Sequence, residues 1–235
     1  MTMSTTIDQR LKNVQQQIAH ASTQAGRPDS AVQLLAVSKT QTAERIREAV
    51  VAGQTAFGEN YLQEALAKQT ELSDLDIEWH FIGPIQSNKT ADIAAHFDWV
   101  HSVDRLKIAQ RLSRQRPAGA ARLNICLQVN LDNESTKAGI SLEHLPALAS
   151  AIQALPQLQL RGLMAIPAKR SDTQQQQAAF AQLTQALESL KQTIPSLDTL
   201  SMGMSADMQA AIVEGATIVR IGSAIFGPRE PSQHH

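Results

Sequence analysis

Eight short apolar runs, each followed by a helical pattern, constrain this chain more than any other feature. They fall at residues 34–39, 55–57, 77–82, 98–101, 123–129, 158–164, 198–201 and 217–221. Most are rich in residues that suit a strand buried on both faces. Strands alternating with helices predict a parallel α/β sheet, and eight is the number that closes as a (β/α)8 TIM-type barrel. An extra amphipathic helix over residues 7–25 precedes the first strand, with Ile7, Leu11, Val14 and Ile18 on one face and Gly26-Arg27-Pro28 ending it. Further helices are expected at 61–72, 87–95, 142–155, 172–193 and 208–214, and another at 104–112 with Asp104 as its N-cap. No Pro/Gly/Ser linker divides the chain, so the reading is one barrel domain over residues 1–230 and a tail at 231–235 left out of the argument. An open doubly wound sheet is the alternative, but no dinucleotide fingerprint follows the first strand.

Composition excludes several roles. The 235 residues carry a formal net charge of −1, with no basic excess to neutralise phosphates along a nucleic acid. No apolar run is long enough to span a bilayer, and residues 1–6 lack a signal-peptide core. Cys126 is the single cysteine, so no internal disulfide forms, and a reducing, cytoplasmic setting is expected. Its place inside a strand makes it core rather than nucleophile.

The first apolar run stops abruptly at Ser38-Lys39-Thr40, and helical pattern begins at Thr42. That puts Lys39 at the carboxyl end of a strand, the edge where open α/β sheets and barrels place their chemistry. A lone lysine there is most often a solvated side chain. Two turns near the C-terminus change the balance. Ser201-Met202-Gly203-Met204-Ser205-Ala206-Asp207 follows the seventh strand, and Gly222-Ser223-Ala224 follows the eighth. Small residues with outward backbone N–H groups suit a phosphate, and barrels repeatedly hold one after these two strands. An amine at one end of a cavity and an anion cradle at the other define a phosphorylated carbonyl compound held as a Schiff base. Pyridoxal phosphate fits, and so does a sugar-phosphate aldolase substrate. Arg220 lies two residues before the second turn. Beside a pyridine nitrogen its guanidinium donates a hydrogen bond and opposes protonation, which weakens the ring as an electron sink.

Ala36-Val37-Ser38-Lys39, Gly58-Glu59-Asn60-Tyr61, the run from Trp79-His80-Phe81-Ile82-Gly83-Pro84 to Gln86-Ser87-Asn88-Lys89, Gly162-Leu163-Met164, Leu200-Ser201-Met202-Gly203-Met204-Ser205 and Val219-Arg220-Ile221-Gly222 resemble, in order, the pyridoxal phosphate homeostasis proteins. The barrel of that family is similar to the N-terminal domain of bacterial alanine racemases. The resemblance implies that Lys39 is the Schiff-base lysine and that Ser205, Gly222 and Ser223 hold the phosphate, with Ser201 and Met204 lining that end. It further implies that Arg220 meets the pyridine nitrogen and that Asn60 lies beside the ring.

Other residues invite weaker readings. Tyr61 is expected in the core at a helix start. His80 and His101 end strands and could face the mouth, but no carboxylate spacing completes a zinc set. Asn88-Lys89 and residues 132–137 could form a lid, with Lys137 a solvated loop lysine. Three functions follow. The chain is a cofactor carrier that manages free pyridoxal 5'-phosphate without turnover, a small amino-acid racemase or other enzyme using that cofactor, or a Schiff-base aldolase. Racemases of the related fold take a second acid/base, a tyrosine, from a further domain of the partner subunit, and this sequence ends after the eighth strand and its short helix. The carrier is therefore the expectation. Its partners are the small-molecule cofactor and, as recipients, apo-enzymes that need it, with no nucleic acid, no membrane and a monomeric state.

Overall fold

A computed structural model describes residues 6–132, 134 and 137–228. The tail at 231–235, the first five residues, and Asn133, Ser135 and Thr136 of the polar loop lie outside the described residues. Strands β1 (Gln33–Val37), β2 (Ala56–Glu59), β3 (Glu78–Phe81), β4 (Trp99–Val103), β5 (Leu123–Val129), β6 (Leu158–Ala165), β7 (Thr199–Ser201) and β8 (Ile218–Ile221) pair in parallel and close in sequence order, β8 returning to β1. The closure is the (β/α)8 barrel that the strand count predicts.

Around it run α2 (Ala43–Val51), α3 (Leu62–Glu71), α4 (Thr90–His96), α5 (Leu106–Gln115), α6 (Leu145–Gln153), α7 (Thr173–Lys191) and α8 (Met208–Val213). The extra helix α1 (Ile7–Gln24) buries Ile7, Leu11, Val14 and Ile18 and packs across α8, α2 and a last short helix, α9 (Ser223–Phe226). Its first turn is closed by a capping box: the Thr6 hydroxyl accepts from the Gln9 N–H, and the Gln9 side chain accepts from the Thr6 N–H. The glutamine-rich start of α7 is helical, capped by Asp172, with Phe180, Leu183, Leu187 and Leu190 buried beneath it.

Two helix starts differ from the expectation. Asp104 does not cap α5; its carboxylate takes a hydrogen bond from Arg105 at 2.6 Å, and Arg105 occupies the cap position. The helix expected from residue 142 begins at Leu145, because Ser141 and His144 are joined side chain to side chain at 2.7 Å in the preceding turn. Such local side-chain bonds compete with the helical ladder.

Alternation along each strand separates two layers. Outward residues such as Phe57, Val100 and Ile125 meet the helices in the main core, while Leu35, Ala56 and Ile218, and separately Trp99, Cys126 and Met164, pack inside the barrel. Gly162 is where β6 and β7 press together: a Cβ there would lie 1.8 Å from the Thr199 carbonyl oxygen. Among the described residues no helix is long and apolar enough to cross a membrane.

Candidate cofactor site

The carboxyl ends of β1, β2 and β8 set the site. Ala36 of β1 stands level with Ile221 of β8, and Val37 with Gly58 of β2. The period of two that directs Leu35 inward sends Lys39 to the mouth and Ser38 out toward the helices, just as it sends Asn60 inward and Glu59 outward. A cavity of ≈ 450 Å³ opens there, lined by Val37 and Lys39, by Asn60, by Arg220, and by the two turns at Met204-Ser205-Ala206 and Gly222-Ser223. Its size suits a small cofactor. The Asn60 side-chain oxygen is buried without a partner among the described residues, which leaves it available to a ligand.

The two turns are shaped for close approach. In the first, Gly203 has φ 95°, and a Cβ would meet that of Ala211 at 2.6 Å, so only glycine fits. Asp207 folds back to accept the Met204 N–H at 2.6 Å, fixing the loop that presents Ser205. In the second, Ser223 opens α9, whose first N–H groups have no helical partner. Arg45 of α2 donates to the Phe226 carbonyl and so ties the end of that helix to the β1 side of the cavity.

Behind Lys39 lies a buried ionic cage that the sequence did not disclose. The Lys68 ammonium, on α3, donates to the Ser38 carbonyl at 2.8 Å and to the Glu59 carboxylate at 2.8 Å, and reaches Glu64 at 2.5 Å. The Ser38 hydroxyl donates to Glu59 at 2.6 Å, and Glu64 accepts the Thr40 N–H at 2.5 Å. Both neighbours of Lys39 are thus held by side chains of β2 and α3. Thr40 has φ 65°, the one non-glycine positive φ among the described residues, and the Glu64 bond accompanies that strained turn. Burial pushes the Glu59 carboxyl up while Lys68 and Ser38 pull it down.

A second polar array runs down the inside of the barrel. Arg220, 4% exposed, donates to the Ser201 carbonyl at 2.6 Å, to the Ser201 hydroxyl at 2.9 Å and to the Ala165 carbonyl at 3.0 Å. Ser201 meets His101 Nδ1 at 2.7 Å, His101 Nε2 meets His80 Nδ1 at 2.8 Å, and His80 Nε2 meets Glu78 at 2.8 Å. Burial lowers both imidazoles, His101 well below its ordinary range, with His80 and the Arg220 charge adding to the effect. The His80 hydrogen bond holds Glu78 down to about 2. Burial also lowers Arg220, to about 10, which leaves it charged at neutral pH.

These directions set a pH profile. Below the usual imidazole value near 6.5, the unfolded chain binds protons that the folded rings refuse, so stability falls as pH drops. The slope reaches about 1.4 kcal/mol per pH unit for a ring that stays neutral throughout, as His101 does, is added to by His80 in the same direction, and vanishes above that value. Glu78 adds a contribution that is complete above about 4.5 and is lost only as pH falls toward about 2. Urea unfolding at a series of pH values should show this decline beginning near 6.5, and His101→Phe should remove much of the slope. A flat profile from about pH 5 to 8 would contradict the buried neutral pair.

The structure therefore gathers Lys39, Asn60, Met204, Ser205, Arg220, Gly222 and Ser223 around one cavity. Ser201 stands apart: it is fully buried beneath Arg220, with its hydroxyl engaged there and toward His101. His80 and His101 do not reach the mouth but lie wholly inside the barrel. Tyr61, expected in the core, is 56% exposed, because it occupies the N-cap of α3 with extended backbone angles while Asn60 turns inward. Cys126 is core, its thiol pushed up to about 12 by burial. Lys89 ends a 3-10 turn and Lys137 pairs with Glu134 at 2.9 Å; neither lines the cavity. Lys169 and Ile166 do line it, from the connection after β6. The signal for them was their place beyond the carboxyl end of a barrel strand. Among the described residues no group of histidine, cysteine and carboxylate side chains could hold a metal ion.

Comparison with known proteins gives a consistent picture. The family of the alanine racemase N-terminal domain matches residues 9–230. A pyridoxal phosphate homeostasis protein of Pseudomonas aeruginosa is 60% identical over 225 residues, 96% of each chain. One from Escherichia coli K12 is 50% identical over 230 residues, 97% of this chain and 98% of the relative. Among solved structures, PipY of Synechococcus elongatus with bound PLP is 43% identical, with a TM-score of 0.83 over 94% of this chain and 100% of its own. Alanine racemase of Corynebacterium glutamicum, at 19% identity and TM-score 0.65 over 96% of this chain and 63% of its own, shares the fold.

Proposed function

This chain belongs to the pyridoxal phosphate homeostasis protein family, and from that premise we propose that it binds pyridoxal 5'-phosphate at Lys39 and serves to hold and pass on that cofactor without robust turnover of a substrate. One observation carries the reading: an amine, a buried unpartnered amide oxygen, a guanidinium and two small-residue turns share one cavity of ≈ 450 Å³. When bound, the cofactor supplies an aldehyde that condenses with an amine and a ring that withdraws electrons. Lys39 is the amine that tethers it. Ser205, Gly222 and Ser223 receive the phosphate on hydroxyl and backbone N–H groups, with Met204 flanking them. Asn60 faces the ring, and Arg220 donates to the ring nitrogen. Ser201 acts at one remove, by holding Arg220.

The same arginine supports a carrier over enzymes whose chemistry needs a protonated ring. A charged donor at the ring nitrogen keeps that nitrogen unprotonated and the ring a poor electron sink. Recipients are apo-enzymes that need the cofactor, and the chain acts as a cytoplasmic monomer. The freshly purified protein should absorb visible light, and borohydride should abolish that band. Incubation with L- or D-alanine and cofactor should give no racemisation at enzyme-like rates, about 1 s⁻¹ or more. Turnover at such rates would overturn the carrier reading, and a colourless protein that takes up no cofactor would overturn the ligand.

A further inference from the structure

We propose that Ser201, His101 and His80 are positioning residues for Arg220, a one-way spine of hydrogen bonds along the barrel axis that aims its free N–H groups at the cavity. The proposal rests on the reading that Arg220 serves the bound cofactor, but the spine itself is a property of the ligand-free chain.

The direction of the spine follows from its two ends. A guanidinium only donates, and an ionised carboxylate only accepts. Arg220 donates to the Ser201 hydroxyl, so that hydroxyl's own proton goes to His101 Nδ1. His101 then carries its proton on Nε2 and donates to His80 Nδ1. His80 in turn carries its proton on Nε2 and donates to Glu78. Ser201, His101 and His80 each give one hydrogen bond and accept one, and with both rings neutral no other assignment of protons satisfies all four links. Gln33 supports the lower end, its side-chain amide donating to Glu78 at 3.0 Å.

The price of such an array inside a barrel is high, since each buried polar group costs more than an apolar filler unless fully bonded. Its upper end explains what it achieves. Among the described residues, three of the five N–H groups of Arg220 are committed, to the Ser201 carbonyl, the Ser201 hydroxyl and the Ala165 carbonyl. The two that remain belong to a side chain on the cavity wall. A guanidinium pinned on one edge presents its other edge in a fixed direction. Ser201 turns neither toward the mouth nor away from it by chance: its hydroxyl is the joint between the arginine and the two rings. His80 is further located by stacking on Trp99 at a centroid distance of 5.4 Å and an interplanar angle of 3°.

Nitrogen-15 spectra of the ring nitrogens in the ligand-free protein test the direction at neutral pH. Both His80 and His101 should be neutral with the proton on Nε2; a proton on Nδ1 of either ring, or on both nitrogens, would overturn the spine. Ser201→Ala tests the positioning. In the folded variant, the Arg220 side-chain N–H groups should exchange with water about tenfold faster, the scale of one lost hydrogen bond to a charged group. Ser201→Thr, which keeps the hydroxyl, should restore the slow exchange, while His101, still fixed from the Glu78 end, should keep its Nε2–H in both variants. Unchanged Arg220 exchange in Ser201→Ala would overturn the positioning role. If the variant fails to fold, the tautomer pattern of the unaltered protein still decides. Failure of cofactor binding with these spectra as expected would reject the ligand and leave the spine standing.

Discussion

Lys39→Ala will abolish the visible band and every borohydride-stable adduct of this protein while leaving its fold intact. In the unaltered chain, reduction followed by peptide mass analysis should place the whole of the added mass on the peptide containing Lys39. The expectation is specific because three other lysines compete for the role on different grounds. Lys169 shares the cavity, whereas Lys89 and Lys137 are outside its lining. What separates Lys39 from Lys169 is support: the residues on either side of Lys39 are bonded to Lys68, Glu59 and Glu64, which holds its backbone in one place. Lys169 stands exposed on a connection. A fixed backbone restricts where the amine can reach, and a reaction between two positioned groups gains from that restriction. The Lys39 side chain is only partly buried, so its truncation should change stability by about 1 kcal/mol or less in urea unfolding. Residual binding without the band is expected, because the turns and Arg220 remain. An adduct on Lys169 in the unaltered protein would move the site to the opposite wall of the cavity.

How much of this was legible follows from what kind of signal each part sends. The barrel shows in the chain because strands buried on both faces are continuous apolar runs and a short parallel strand needs a helix to return. Lys39, Ser205 and Gly222 show because a polar or small residue stops each run at the same edge. Register is a different matter. Parity alone turns His80, His101, Ser201 and Arg220 inward, but whether each reaches the mouth or stays below it depends on how far each strand is staggered against its neighbour, which no single strand reveals. Arg220 pairs level with Leu35, four residues before Lys39, and this places it at the floor of the cavity and Ser201 beneath it. The Lys68 cage was invisible for another reason. Glu64 and Lys68, four apart on α3, read as an ordinary solvated pair. Only the fold shows that Lys68 faces the barrel and meets Glu59 and Ser38 there.

Lys68→Met should cost the protein about 3–5 kcal/mol, the usual penalty for removing one partner of a buried ion pair. The side chain of Lys68 is 6% exposed and that of Glu59 0%, so water cannot take the place of the lost ammonium. Among the described residues one Glu59 oxygen already lacks a hydrogen-bond partner, and the substitution would strip the other of Lys68 while leaving only Ser38. For a chain of this length the loss corresponds to a fall in Tm of roughly 6–20 °C. Its pH dependence identifies the cause. Without Lys68, burial raises the Glu59 carboxyl further above its unfolded value. The folded variant then holds a proton that the unfolded chain gives up, and its deficit against the unaltered protein narrows as pH falls toward about 4.5. Adding Glu59→Gln to Lys68→Met should recover most of the loss, because an amide carries no charge to strand. The site reports the same event. The Ser38 carbonyl loses its donor, and Glu64, which accepts the Thr40 N–H, loses its counter-charge, so the Lys39 turn loosens on both sides. Cofactor affinity should therefore fall in Lys68→Met even at temperatures where the variant is fully folded. Full affinity there would mean that the cage stabilises the barrel without orienting the amine, and an unchanged Tm would mean that Lys68 and Glu59 are not paired in solution at all.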